Sequence, residues 1–138
     1  MISILIGTIA GQERDGRYVV ECGGVGYLVT TCKRDDLHKL AHGRGVTLYV
    51  RQVWSETAGP SLYGWLGELD RYFFDRLCKV EGMGPGRAAK VVDVFDLDGI
   101  KGAAEVLTPK KVALRIDGVG PALATKIVDA FRPLVVTV

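Results

Sequence analysis

Two short stretches hold the residue types that bind anions. Glu81 to Phe95 reads EGMGPGRAAKVVDVF, and 36 residues further on Asp117 to Phe131 reads DGVGPALATKIVDAF. Eight of the fifteen aligned positions are identical: two glycines, Pro, Ala, Lys, Val, Asp and Phe. In each Gly-x-Gly-Pro the first glycine, Gly82 or Gly118, suits a positive φ and lets the chain turn sharply. The second, Gly84 or Gly120, leaves the backbone bare, so a bulky partner can approach it. Pro85 and Pro121 fit the first helical turn, where no N–H is needed. The other early N–H groups then point outward at the positive end of the helix dipole, a ready site for phosphate. Met83 and Val119 fill the x positions. Lys79 and Arg115 end the preceding helices, Lys90 and Lys126 follow in identical register, and Arg87 lies beside the first turn. Apart from the two prolines, these positions, eleven in all, form the expected DNA-binding set. Two such turns on one unit can grip a duplex backbone without reading its bases.

Other chemistries find less support. No Gly-Lys-Ser/Thr follows either turn, so the nucleotide P-loop fails, and no strand feeds the turn, so the dinucleotide fingerprint fails. His38 and His42 are four apart, but no third zinc ligand accompanies them. Asp93 and Asp129 repeat in register, well past the glycine turns, and read as surface or inter-helix polar groups. Cys22, Cys32 and Cys78 show no CxxC spacing and read as reduced thiols. No cofactor and no metal are expected. Lys33 to Asp36 reads as a solvated turn, Lys110 and Lys111 as a surface face, and Tyr27, Tyr63 and Trp65 as core.

The elements that must carry the two turns are helical. Leu69, Tyr72, Phe73 and Leu77 share one helical face, as do Ala88, Val91, Val92 and Phe95, and then Leu123, Ile127, Ala130 and Phe131. LTPKKVALRI offers Thr108 as N-cap and Pro109 at the first helical position. Residues 66–138 therefore predict four or five short helices in two related helix-turn-helix units. Residues 1–65 follow another pattern. ISILIGTIAG, RYVVEC after a turn at Asp15-Gly16, GGVGYLVTT, GVTLYVRQVW and SLYGW read as five short strands, with one helical turn across RDDLHKLA. The expected fold class is β + α in two domains. A five-stranded OB-fold barrel over 1–65 precedes an all-α tandem helix-hairpin-helix domain over 66–138. A small SH3-like barrel is the alternative for the first.

Composition sets outer bounds. The 138 residues are 48% hydrophobic and 25% charged, as in ordinary soluble domains. No apolar run approaches a membrane span, and MISILIGTIAG lacks the basic start of a signal peptide. A cytoplasmic protein with no membrane partner is expected. A net charge of +2 neither demands nor excludes nucleic acid, so DNA binding would rest on a local basic face.

A helix, a Gly-x-Gly turn and another helix resemble the helix-hairpin-helix motif of DNA-binding proteins. A barrel followed by two of them resembles the RuvA family along essentially the whole chain. ECGGVGYLV resembles the family's Gly-Gly-Val-Gly-Tyr strand, SLYGW its Leu-Tyr-Gly-Phe close of the barrel, and LCKVEGMGPGRAAKVV and LRIDGVGPALATKIV its two hairpins. The resemblance implies a non-catalytic subunit that binds four-way (Holliday) junctions in recombination and repair. It implies a homotetramer that holds the junction open for branch migration. It also implies a RuvB-type ATPase and a RuvC-type resolvase as partners.

The chain departs from the family pattern in three places. The acidic pin of the family matches WSETAGPS, with Glu56 as one acid and Thr57 at the second position. Trp54 beside it reads as barrel packing, the usual fate of a large aromatic, with stacking on an unpaired base as the alternative. Gly86 replaces a lysine of the first hairpin, and Pro121 and Ala122 replace lysines of the second, so backbone contacts are expected to dominate. Finally, the family continues into a third domain that docks the ATPase, whereas this sequence ends after FRPLVVTV. The expectation is a short form, natural or truncated, that binds junctions without the usual motor recruitment. Two other functions compete: a DNA-processing enzyme that uses the hairpins as a grip, and a generic DNA- or protein-interaction module.

Overall fold

A computed structural model describes residues 1–31, 43–95 and 109–136, with side chains to residue 132. The helical turn expected over RDDLHKLA, both histidines, Cys32, Lys33 to Asp36 and Thr108 lie outside these residues. The chain divides into two compact units, Met1–Arg71 and Tyr72–Val138.

The first unit is a closed barrel. Its strands are β1 (Ile4–Gln12), β2 (Tyr18–Cys22), β3 (Val25–Thr31), β4 (Gly45–Ser55) and β5 (Gly59–Trp65), in the order β1-β2-β3-β5-β4. All neighbours are antiparallel except β3 and β5, which pair in parallel from Val29↔Leu62 to Thr31↔Gly64. Closure leaves no free sheet edge. Period-two alternation points Leu5 and Ile9 of β1, Tyr18 and Val20 of β2, Val29 of β3 and Val46, Leu48 and Val50 of β4 into one core. Each such side chain contributes about 1.5–3 kcal/mol through burial. Trp65 closes the barrel at 1% exposure, as expected of a core residue, and Tyr27 packs half-buried against the cluster.

The turn at Asp15-Gly16 forms as expected. Gly16 takes φ 92°, its N–H donates to the Glu13 carbonyl at 3.0 Å, and Arg17 donates from Nε to Asp15 at 2.7 Å. That hydrogen bond, more than the charge alone, holds the Asp15 carboxyl below its ordinary pKa. At the end of the first unit, Arg71 reaches Ser3, just before β1, and Tyr49 of β4. Its Nη1 donates to the carbonyl and the hydroxyl of Ser3 at 2.7 and 2.8 Å, and its guanidinium lies 5.4 Å from the centre of the Tyr49 ring.

The described helices are α1 (Glu68–Cys78), α2 (Pro85–Val94), α3 (Pro109–Arg115) and α4 (Pro121–Val136). Pro85, Pro109 and Pro121 each open a helix, as their position predicts. On α2 the expected face is the buried face: Ala88, Val91, Val92 and Phe95. The repeat carries it to α4 as Ala124, Ile127, Val128 and Phe131, which moves the expected Leu123 and Ala130 to its flanks. On α1 the buried side is Asp70, Phe73, Phe74 and Leu77, while Leu69 and Tyr72 are exposed, correcting the expected face. Positions i, i+3, i+4 and i+7 fall closer together on the helix than the set that began at Leu69. Asp70 hid that register because it is charged; it stands in the first turn, where a carboxylate meets the positive helix end. Phe73 meets Phe131 edge-on with centroids 5.4 Å apart, so the first and last helices share one core.

Candidate nucleic-acid interface

The two Gly-x-Gly-Pro turns fold alike. After α1, the Val80 N–H donates to the Leu77 carbonyl at 3.0 Å and the Met83 N–H to the Val80 carbonyl at 3.0 Å. After α3, Ile116 donates to Val112 at 3.1 Å and Val119 to Ile116 at 3.4 Å. Gly82 takes φ 85° and Gly118 φ 80°, the left-handed conformation for which glycine was expected. Met83 and Val119 are buried, at 7% and 6% exposure, and their N–H groups serve the turns. These two expected contact residues therefore anchor the hairpins from inside and offer a ligand no side chain.

The next helix starts the same way in both copies. Ala88 donates to the Gly84 carbonyl at 3.0 Å and Ala124 to the Gly120 carbonyl at 2.9 Å. The N–H groups of Gly86 and Arg87, and of Ala122 and Leu123, come before that first donor and have no acceptor within their helices. No side chain caps the start of α2. A methyl group on Gly84, Gly86 or Gly120 would meet nothing within 4 Å, and none of the three has a positive φ. The backbone thus favours glycine at 82 and 118, whereas at 84 and 120 neither the φ angle nor the space around a Cβ calls for it. What glycine does at 84 and 120 is keep two helix N-termini uncovered.

The hairpins also hold one another through positions related by the repeat. Arg87 and Leu123 are equivalent, as are Gly82 and Gly118. The Arg87 guanidinium covers Gly118, where a methyl group would lie 2.9 Å from Nη2, and Leu123 Cδ1 would stand 3.9 Å from a methyl group on Gly82. Arg87 Nη1 also reaches the Gly82 carbonyl at 3.4 Å. Leu123 had been read as core alone; the signal for its second role is its alignment with Arg87.

The remaining basic residues divide in two. Lys79 and Lys90 are exposed beside the first turn, and Lys126 reaches across to Glu81 at 3.9 Å, a weak exposed pair that a phosphate can displace. Arg115 is exposed and lies against the end of α2. It lies 4.8 Å from the centre of the Phe95 ring and donates to the Val94 carbonyl at 3.0 Å, satisfying the C-terminal end of α2.

In the barrel unit, β4 and β5 run on as a hairpin with its tip at Glu56, Thr57 and Ala58. The Ser55 hydroxyl shares a hydrogen bond with Thr57 at 3.1 Å and accepts one from the Ala58 N–H at 3.3 Å. Glu56 is exposed and is the tip's acid. Trp54 is 72% exposed, which overturns its reading as barrel packing. It continues the inward register of Val46, Leu48 and Val50, but that register has passed the mouth of the barrel and meets no core.

Among the described residues no group of three or more His, Cys, Asp or Glu side chains gathers to hold a metal, and no helix is long and apolar enough to cross a membrane.

A closed five-stranded barrel followed by paired helix-hairpin-helix turns defines a two-part class of protein, one β barrel and one helical tandem. Comparison with known families agrees in both halves. Residues 1–64 match the RuvA N terminal domain, and residues 74–133 match the SAM-like helix-hairpin-helix tandem. The chain belongs to the RuvA family. It is similar to the "Holliday junction branch migration complex subunit RuvA" of Caulobacter vibrioides, 40% identical over 98 residues, covering 69% of this chain and 46% of the relative. The protein of the same name from Marinobacter nauticus is 36% identical over 95 residues, covering 67% and 45%. That from Lactococcus lactis subsp. cremoris is 33% identical over 87 residues, covering 63% and 43%. The matched stretch spans a little under half the length of these relatives.

Proposed function

We propose that this protein binds four-way DNA junctions, independently of sequence, in recombination and repair, and holds them open for branch migration. The observation that carries this reading is the pair of bare helix N-termini at Gly84 and Gly120, joined by the reciprocal Arg87–Gly118 and Leu123–Gly82 contacts. Such a pair offers two phosphate sites at fixed separation, with Lys79, Lys90 and Lys126 to add charge. The relatives' printed name supports a four-way junction as the ligand.

On this reading residues 1–65 form the barrel domain and 66–138 the DNA-binding domain. The chain acts as a non-catalytic cytoplasmic subunit and assembles as a homotetramer in a system whose family partners are a RuvB-type ATPase, not recruited here by the usual route, and a RuvC-type resolvase. Glu56, with Thr57 in place of a second acid, gives a weakly repulsive pin at the crossover.

The test is competition in a gel shift at fixed salt: labelled four-way junction against excess linear duplex with the same arm sequences. Complex that survives a large excess of duplex supports the reading, and light scattering on the free and bound protein reports its assembly. Equal competition by duplex would reduce it to a generic DNA-binding module. Cleavage or base release on incubation with branched, nicked or abasic DNA would make it an enzyme.

A further inference from the structure

On the β4–β5 hairpin Trp54 stands alone. It is 72% exposed, and it is the one exposed large hydrophobic residue between Val25 and Leu66 among the described residues. Its neighbours are Val53, Ser55 and Glu56 along the chain and Pro60 across the ladder. A protein partner would call for a contiguous apolar patch, which this hairpin lacks. A single exposed aromatic, with no second large exposed hydrophobic beside it on the hairpin, suits a single flat ligand.

A second feature lies next to it. Pro60, the cross-strand partner of Trp54, lines a cleft of about 270 Å³, together with Ile2, Leu28, Leu62, Gln52 and Arg17. Gln52 and Leu62 are the next pair down the same face of the ladder. The cleft is slightly smaller than the range of about 300–1,000 Å³ that holds drug-sized ligands. Its apolar walls suit a ring, and the Gln52 amide and the Arg17 guanidinium suit the polar edge of one. Asp15 pairs with Arg17 through Nε and Nη2 at 2.7 Å. The tip turn beside Trp54 carries two hydrogen bonds of the Ser55 hydroxyl.

We propose that Trp54 is a stacking platform for one unpaired nucleobase of branched DNA, with the adjoining cleft receiving the base edge at Gln52 and Arg17. This rests on the junction-binding reading and deepens it. The hairpin turns would hold paired arms by their phosphates, and Trp54 would select junctions whose centre has come unpaired.

The test compares three DNAs: a four-way junction with two unpaired adenines at its centre, the same junction fully paired, and a linear duplex. The two tryptophans are separable, because Trp65 is buried at 1% exposure and Trp54 is open. The unpaired junction is expected to quench tryptophan emission in the unaltered chain, and the duplex to leave it nearly unchanged. Trp54→Ala is expected to weaken binding of the unpaired junction by about 5- to 100-fold, the range of one lost base stack. Binding of the other two DNAs should change less than about twofold, and Trp54→Phe should restore most of the loss. An unchanged Trp65 emission maximum verifies that the barrel is folded. Equal affinity of Trp54→Ala and the unaltered chain for the unpaired junction would overturn this proposal and leave junction binding intact. Failure of the unaltered chain to bind any of the three DNAs would overturn both.

Discussion

The Arg87 guanidinium lies across the α-carbon of Gly118, closely enough that a methyl group there would stand 2.9 Å from Nη2. Arg87 belongs to the first hairpin and Gly118 to the second, so this contact packs the two sequence repeats into one unit. Leu123 against Gly82 is its repeat-related counterpart, looser at 3.9 Å.

Gly118→Ala should therefore destabilise the helical unit more than Gly82→Ala. Both impose a positive φ on alanine, costing about 1–2 kcal/mol, and only the first displaces Arg87. Thermal unfolding should show a fall in Tm of about 4–8 °C per kcal/mol for a unit of this size. Arg87→Ala should relieve part of the Gly118→Ala loss, and a double-mutant cycle measures how much.

Gly84→Leu with Gly120→Leu should separate binding from folding. Neither glycine has a positive φ, and neither faces any atom within 4 Å. The expected stability cost is below about 1 kcal/mol at each helix start, while junction binding is lost because the side chains cover the N–H groups. Normal junction binding by the folded double variant would refute the hairpin assignment.

Lys90→Ala with Lys126→Ala should weaken binding to all sequences alike. Each lost phosphate contact should reduce the slope of log K against log salt by about 0.9. Stability should hardly move, since the Lys126–Glu81 pair is exposed and 3.9 Å long. A changed sequence preference would mean that bases are being read.

The Cys78 thiol should alkylate slowly at neutral pH. Cys78 is exposed as a residue, but the protein packed around its thiol, helped by the Asp75 charge, pushes its pKa up from 9.0 to about 11. Iodoacetamide labelling of the native protein should accelerate as pH rises toward 11. The sign for stability follows: the folded thiol holds its proton more tightly than the unfolded one. This group's contribution is therefore complete below about pH 9 and is lost as pH climbs through 11.

Much of this architecture is a local matter and was legible in the sequence. Period-two alternation marked the five strands, the three prolines marked the helix starts, and the doubled Gly-x-Gly-Pro marked the turns, because each depends on the conformational limits of a few neighbouring residues. The demand for glycine at 82 and 118 belongs to the same class. Three features waited for the tertiary structure. The apolar residues of α1 allow two overlapping faces, and only packing against Phe131 and the rest of the core selects Phe73, Phe74 and Leu77 with a charged Asp70 beside them. Arg115 reads from sequence as a phosphate ligand alone, and only the fold brings Phe95 and the end of α2 within its reach as well. Trp54 has the period and the chemistry of a core residue, but alternation says only which side of a strand a residue takes. Whether anything lies on that side depends on where the barrel ends, and here it ends before Trp54.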